Sequence, residues 1–186
     1  MSDIIEQAKA YFYSIVEDFW SDPRLLIGHL PLVEQQMKKC LKKFPEANEE
    51  IALLGVWLHD IGHYPLPTEI DHAVRGEERA RAFLAERNVD LYIIDQVCHC
   101  VRSHRNKDVP PASLEARLLA FSDSASHLVD TEMYMDMVKG GRGELALGKV
   151  ERDYRDLALI EEMQEEYTPL YEAWKVLLTK LIKFTE

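Results

Sequence analysis

The stretch Val56-Trp57-Leu58-His59-Asp60-Ile61-Gly62-His63 constrains this chain more than any other. An unbroken apolar segment runs into an adjacent His-Asp pair, then a glycine, then a second histidine. Burying two ionisable side chains at the end of an apolar segment is expensive unless something neutralises them. A divalent cation does so well, because imidazole nitrogen and carboxylate oxygen are both good ligands for it. The alternative is a helix C-terminus with histidines at the favourable end of the dipole, Gly62 as cap and Asp60 in solvent. The placement of the other histidines and of one later aspartate weighs on that choice.

Apolar residues recur at helical spacing throughout, and no segment alternates as a half-buried strand does. A first amphipathic helix runs from Asp3 to about Trp20, with Ile5, Ala8, Phe12, Ile15, Val16 and Phe19 along one face, and Ser21-Asp22-Pro23 breaks it. A second runs from about His29 to Phe44, with Pro31 tolerated in its first turn. The third, Ala47 to Ile61, carries the His-Asp pair. Tyr64-Pro65-Leu66-Pro67 reads as a rigid turn, and Thr68-Glu69-Ile70-Asp71 resembles a capping box for a helix reaching Arg87. Further helices are expected over Leu91–His104, from the Ser113 cap through Leu114, Leu118, Leu119, Ala120 and Phe121, and over Leu145–Tyr167 and Leu170–Phe184. The helix after Ser113 is apolar on most sides and so central. Met133, Met135 and Met137 read as adaptable apolar filling or a pocket wall. Gly140-Gly141-Arg142-Gly143 reads as a flexible connection or an anion nest. The expected fold is an all-α, single-domain helical bundle of about seven to nine helices over residues 1–186, with helices from about 144 to 186 packing on the rest. Trp174, Leu177, Leu178 and Leu181 are core or a homodimer surface on those C-terminal helices.

Helical phase sorts the histidines. His29 shares a face with Val33, Met37, Cys40 and Phe44, and His59 continues the face of Ala52, Gly55 and Leu58. His72 shares a sector with Gly76, Ala80 and Phe83, and a glycine one turn away leaves room for close approach of another group. His104 ends the apolar face of Ile93, Ile94, Val97 and Val101. His99 and His127 fall off the ligand-bearing faces and are expected to be dispensable. Asp123 interrupts an apolar stretch among Ser122, Ser124 and Ala125; a buried aspartate needs a partner, by metal ligation or a hydrogen bond between helices. The candidate ligands are therefore His29, His59, Asp60, His72, His104 and Asp123.

Composition narrows the partners. The formal net charge is −11, which repels a polyanion and argues against binding long nucleic acid, while a small anionic substrate remains compatible because metal ions reverse the sign locally. No apolar run approaches the ~20 residues needed to cross a bilayer, so no membrane partner is expected. The start has neither a basic n-region nor an apolar h-region, and Cys40, Cys98 and Cys100 form no paired CxxC units. A reducing, cytoplasmic setting without a structural zinc site is expected.

In their order, these residues resemble the HD superfamily of metal-dependent phosphohydrolases, over residues from about 25 to about 130. The minimal signature, His then His-Asp then Asp, maps onto His29, His59-Asp60 and Asp123. The longer form adds two histidines, and His72-Ala73-Val74-Arg75-Gly76 and Val101-Arg102-Ser103-His104 are similar to the segments that carry them. The resemblance implies an all-helical fold with a central metal site, and hydrolysis of a phosphate ester or anhydride in a small phosphorylated metabolite, often a nucleotide. It implies one or two divalent ions (Mn, Fe, Co, Mg, Ni or Zn). One ion would be held by His29, His59, Asp60 and Asp123, and a second by His72 and His104 with Asp60 bridging. Asp60 and His63 are then the catalytic pair, His63 by orienting a ligand or giving a proton to the leaving group. Arg75, Arg105 and Lys107 are candidate phosphate contacts.

The chain departs from two branches of that superfamily. Ile61-Gly62 stands where alarmone hydrolases have Glu-Asp, and no cyclic-dinucleotide signature follows the site. Two alternatives accompany the hydrolase: a di-iron oxygenase acting on a small polyol or phosphonate, and a non-catalytic ligand-binding domain.

Overall fold

Every stretch with helical periodicity needs a start, and short polar side chains supply most of them. Asn48 accepts from the amides of Glu50 and Ile51, Asp71 from Ala73, Asp90 from Tyr92, Ser113 from Ala116, and Asp130 from Glu132 and Met133. Each answers amides that the first helical turn leaves without partners. The structure is a computed structural model and describes residues 3–16, 26–64 and 69–185. Among these residues there are nine α-helices and no strand: α1 (Asp3–Val16), α2 (Leu26–Lys43), α3 (Glu49–Leu58), α4 (His72–Glu86), α5 (Leu91–Ser103), α6 (Leu114–Val129), α7 (Thr131–Lys139), α8 (Gly143–Asp156) and α9 (Glu161–Thr185). Two 3-10 turns, Ile61–His63 and Leu157–Ile160, follow α3 and α8.

The central helix is α6. Leu118, Leu119, Ala120, Phe121, Ala125 and Leu128 on it are all buried, and it packs on α2, α3, α5, α8 and the Leu157–Ile160 turn. A helix surrounded in this way must be apolar on most sides, as its sequence is. Placing α6 in the middle sets Asp123 facing the ends of α2, α3 and α5, where the histidines are.

Several boundaries differ from expectation. The Ser21-Asp22-Pro23 break and the turn through Pro65 and Pro67 lie outside the described residues, as does Thr68 of the expected capping box. Asp71 caps α4, accepting from the Ala73 amide. Helix α2 starts at Leu26, so Pro31 sits in its second turn; the carbonyl that Pro31 cannot serve belongs to Ile27, which is exposed and can be solvated. The C-terminal break falls at Leu157–Ile160 rather than near Tyr167, because Leu157 and Ile160 turn into the core there. Pro169 lies inside α9, four residues after the exposed Glu165, whose carbonyl meets solvent. On α9, Trp174 and Leu178 are buried, whereas Leu177 is exposed. The glycine segment is a connection and no anion nest: the amides of Gly140, Gly141 and Arg142 bond to carbonyls of Asp136, Val138 and Met137, closing α7.

Gly62 is fixed by its neighbours. A Cβ there would run into the carbonyl oxygen of His72 and the amide nitrogen of Gly76. Gly76 in turn lies under the His59 carbonyl, which a Cβ would meet at 3.1 Å. Backbone therefore touches backbone where the turn after α3 crosses the start of α4, and this crossing holds His72 beside the His-Asp pair.

Candidate metal centre

Five helix ends or turns and the middle of α6 deliver side chains to one place. His29 comes from the first turn of α2, His59 and Asp60 from the end of α3, His63 from the 3-10 turn, His72 from the start of α4, His104 from the end of α5 and Asp123 from the middle of α6. All six expected ligands converge. His59 is fully buried, and His29, Asp60 and His104 are nearly so.

The two oxygens of Asp60 face different sets. Oδ2 lies 3.7 Å from His29 Nε2 and 3.5 Å from His59 Nε2. Oδ1 lies 3.4 Å from His63 Nε2, 3.5 Å from His72 Nε2 and 3.7 Å from His104 Nε2. Asp123 Oδ1 joins the first set, 3.1 Å from His29 Nε2 and 3.9 Å from His59 Nε2. Two groups are thus spaced to hold an ion, His29 with His59 and Asp123, and Asp60 with His63 and His72. His63 belongs to the second group because the 3-10 turn, closed by the His63 amide on the Asp60 carbonyl, carries it back rather than away.

The hydrogen bonds fix which nitrogen of each ring bears the proton. His59 Nδ1 donates to the Val56 carbonyl at 2.7 Å, and His104 Nδ1 to the Val101 carbonyl at 2.6 Å. The Ser126 hydroxyl donates to the Asp123 carbonyl at 2.7 Å, so its oxygen accepts from His29 Nδ1 at 3.3 Å. All three rings therefore turn a lone pair, on Nε2, toward carboxylate oxygens. His59 Nε2 is buried without a hydrogen-bond partner, and His72 Nε2 approaches His104 Nε2 to 3.2 Å. The Nε2 lone pairs of His29, His59 and His104 converging with the carboxylates of Asp60 and Asp123 are the complement of a cation, so the donor set fits a divalent metal.

Charge follows the same logic. Burial pushes the Asp60 carboxyl up, but His59, His63 and His72 outweigh it and hold the group well below the usual carboxylate range. Asp123 is likewise held down, burial being outweighed by His127, His29 and His59. Burial, only partly offset by Asp60, pushes the His72 imidazole down to about 3. Burial and neighbouring His59 push His104 down to about 4. At neutral pH the carboxylates are charged and these two imidazoles are neutral, as ligands must be.

A pH dependence follows for metal-free protein. The unfolded chain protonates His72 and His104 below about pH 6.5, while the folded chain keeps them neutral until far lower, so the folded state binds fewer protons and loses stability as pH falls through that window. Asp60 and Asp123 add a further loss below their unfolded value near 3.8. With chelator present, the urea midpoint should be clearly lower at about pH 5 than at about pH 7; equal midpoints would show that these imidazoles are not buried neutral.

His127 is a correction to the phase argument. It stands four residues after Asp123, hence on the same face of α6. Its Nε2 lies 3.6 Å from Asp123 Oδ1, and its ring stacks on His29 at 4.8 Å. Lys149 of α8 can only donate and reaches His127 Nδ1 at 3.0 Å, so the His127 proton sits on Nε2 and points at Asp123. Lys149 also bonds Asp153, which accepts from the Tyr134 hydroxyl at 2.7 Å. The spacings Asp123–His127 and Lys149–Asp153 were the available signals for this set. His127→Ala is expected to weaken metal binding by about 10–100-fold, by freeing Asp123. His99, which accepts from the Ala112 amide away from the centre, should leave it unchanged on substitution by Ala. Metal titration of both variants checks this; equal effects would remove His127 from the site.

A cleft of about 400 Å³ opens over the cluster, lined also by Arg105, Met133, Met137, Arg142 and Lys149. Met133 and Met137 are thus pocket wall, and Met135 packs on the core. Arg105 lines the cleft while pairing with Asp71. Lys107 lines an adjoining cleft instead, and half-buried Arg75 lines neither.

An HD domain family model matches residues 26–128, more than half of the chain and the span from α2 through α6. No curated protein and no solved structure matches it.

Proposed function

The chain belongs to the HD domain family, and from that premise we propose that it is a metal-dependent phosphohydrolase cleaving a phosphate ester or anhydride of a small phosphorylated metabolite, with nucleotides the leading class. The division of the Asp60 oxygens between two histidine sets carries this reading. His29, His59, Asp60 and Asp123 would hold one ion, and His72 and His104, with Asp60 between, a second. When bound, such ions make a nucleophile of water at neutral pH and neutralise charge on phosphoryl oxygens.

The protein's own groups do the rest. Arg105, Arg142 and Lys149 bring positive charge to the cleft and orient an anionic group over Asp60. Arg142, a cleft residue, takes the part expected of Arg75. His63 is the most exposed imidazole against Asp60, its side chain 20% accessible, and it stacks on His72 at 3.8 Å. That position suits it to pass a proton to the leaving oxygen. His127 and Ser126 keep Asp123 and His29 in place.

Protein purified without added metal should contain up to two ions per chain and release phosphate from nucleotides when supplied with Mn, Co or Mg. Two irons with an oxygen-sensitive absorption spectrum and no phosphate release would give the site to oxygenase chemistry. Full metal content without turnover of either kind would leave a ligand-binding domain. No helix of the described residues is long and apolar enough to cross a membrane. Cys40, Cys98 and Cys100 are unpaired and buried, in keeping with a reducing compartment.

A further inference from the structure

The cleft over Asp60 shares a wall, through His104, Asp123 and His127, with a second cleft of about 410 Å³. Five cations line this second cleft: Arg105 and Lys107 after α5, and Lys149, Arg152 and Arg155 from α8. The chain as a whole has 33 acidic against 22 basic side chains, so the concentration runs against its overall sign. The carboxylates lining the same cleft are already engaged. Asp153 accepts from Tyr134 and Lys149, Asp156 accepts from Arg155 and Asn106, and Asp123 faces His29 and His127. Arg105 pairs with Asp71 and also lines the cleft over Asp60. Lys107 and Arg152 are exposed, and neither has a carboxylate within ion-pair distance among the described residues.

We propose that the second cleft receives a second phosphoryl group of the substrate, so that the preferred ligand is a small metabolite with two phosphoryl groups on separate atoms. One group lies over Asp60 and the other against Lys107 and Arg152. This rests on the phosphohydrolase reading above. A guanidinium fork and an ammonium are the side chains that recognise phosphate, and here they come from two different elements facing one cavity. The shared wall lets one ligand occupy both clefts, whereas a monophosphate fills only one. Arg152 on α8 lies beyond the segment matched by the family model, whereas Lys107 lies within it, so the subsite joins the matched segment to the helices that follow it.

The test is calorimetric titration of the metal-loaded full chain with adenosine 3′,5′-bisphosphate and with adenosine 5′-monophosphate, following phosphate release in parallel. The bisphosphate is expected to bind at least about tenfold more tightly. Arg152→Glu and, separately, Lys107→Glu should each remove most of that preference; both positions are exposed, so the fold tolerates the change. Equal affinities in the unaltered protein, or charge reversals that weaken both ligands alike, would overturn the second phosphoryl site. If the preference holds and is lost in the variants while neither nucleotide releases phosphate with Mn, Co or Mg, the subsite stands and the hydrolase reading fails. If both are hydrolysed with equal affinity, the hydrolase reading stands and the subsite fails.

Discussion

Asp60→Ala is expected to lose most bound metal and to lower turnover by ~10³ or more, about 4 kcal/mol of transition-state stabilisation. Among the described residues no other carboxylate faces both histidine sets, Oδ2 toward His29 and His59 and Oδ1 toward His63, His72 and His104. Removing it leaves two sets of imidazoles with nothing anionic between them, and Asp123 serves only the first. Asp60→Asn refines the test, since it keeps one oxygen and nearly the same volume but removes the charge. It should retain more structure than the alanine variant and almost as little metal. Full metal occupancy and activity in Asp60→Ala, with the helical circular dichroism unchanged, would remove the carboxylate from the centre of the proposal.

Among the glycines, Gly62 is the one whose replacement by alanine should be most damaging. The new carbon would press on the His72 carbonyl oxygen and the Gly76 amide, both backbone, and neither can swing aside as a side-chain tip would. The start of α4 would have to move off the turn after α3, at about 3 kcal/mol or more of lost stability. Urea unfolding with chelator present separates this loss from any effect on metal binding. Gly76→Ala should be milder, because its Cβ would sit 3.1 Å from the His59 carbonyl and 3.2 Å from a Val101 methyl that can adjust. If Gly62→Ala unfolded at the same urea concentration as the unaltered protein, the crossing would be looser than described.

Much of this was legible in the sequence because local chemistry and burial agree. The Ser113 cap and the apolar faces of α2, α5 and α6 place helices near their true bounds. Four of the ligand positions fall on inward phases that periodicity alone identifies. The phase of the apolar faces excludes His127, flanked by Ser126 and Leu128, although it stands one helical turn after Asp123. Other features depend on contacts between distant segments. The break at Leu157–Ile160 exists because two side chains turn toward α6, while Pro169 is tolerated inside α9 because its turn faces solvent. No local pattern announces that Lys149 of α8 will meet His127 of α6, or that Arg142 will reach the cleft and Arg75 will not.

The proton positions on His59 and His104 have a consequence for the timing of local opening. Each ring is held by the carbonyl three residues earlier, Val56 or Val101, at the last turn of its own helix. Fraying of that turn releases the ring and presents the wrong nitrogen, so opening of a helix end and loss of a ligand are the same event. Ions held by His59 and by His104, with Asp60 between them, must therefore suppress fraying at two separate helix ends. Amide hydrogen exchange should register it: the His59 amide, bonded to the Gly55 carbonyl at 3.0 Å, and the amides of the last turn of α5 should slow together when metal is added. Exchange that slows at one end and not the other would show two ions arriving independently.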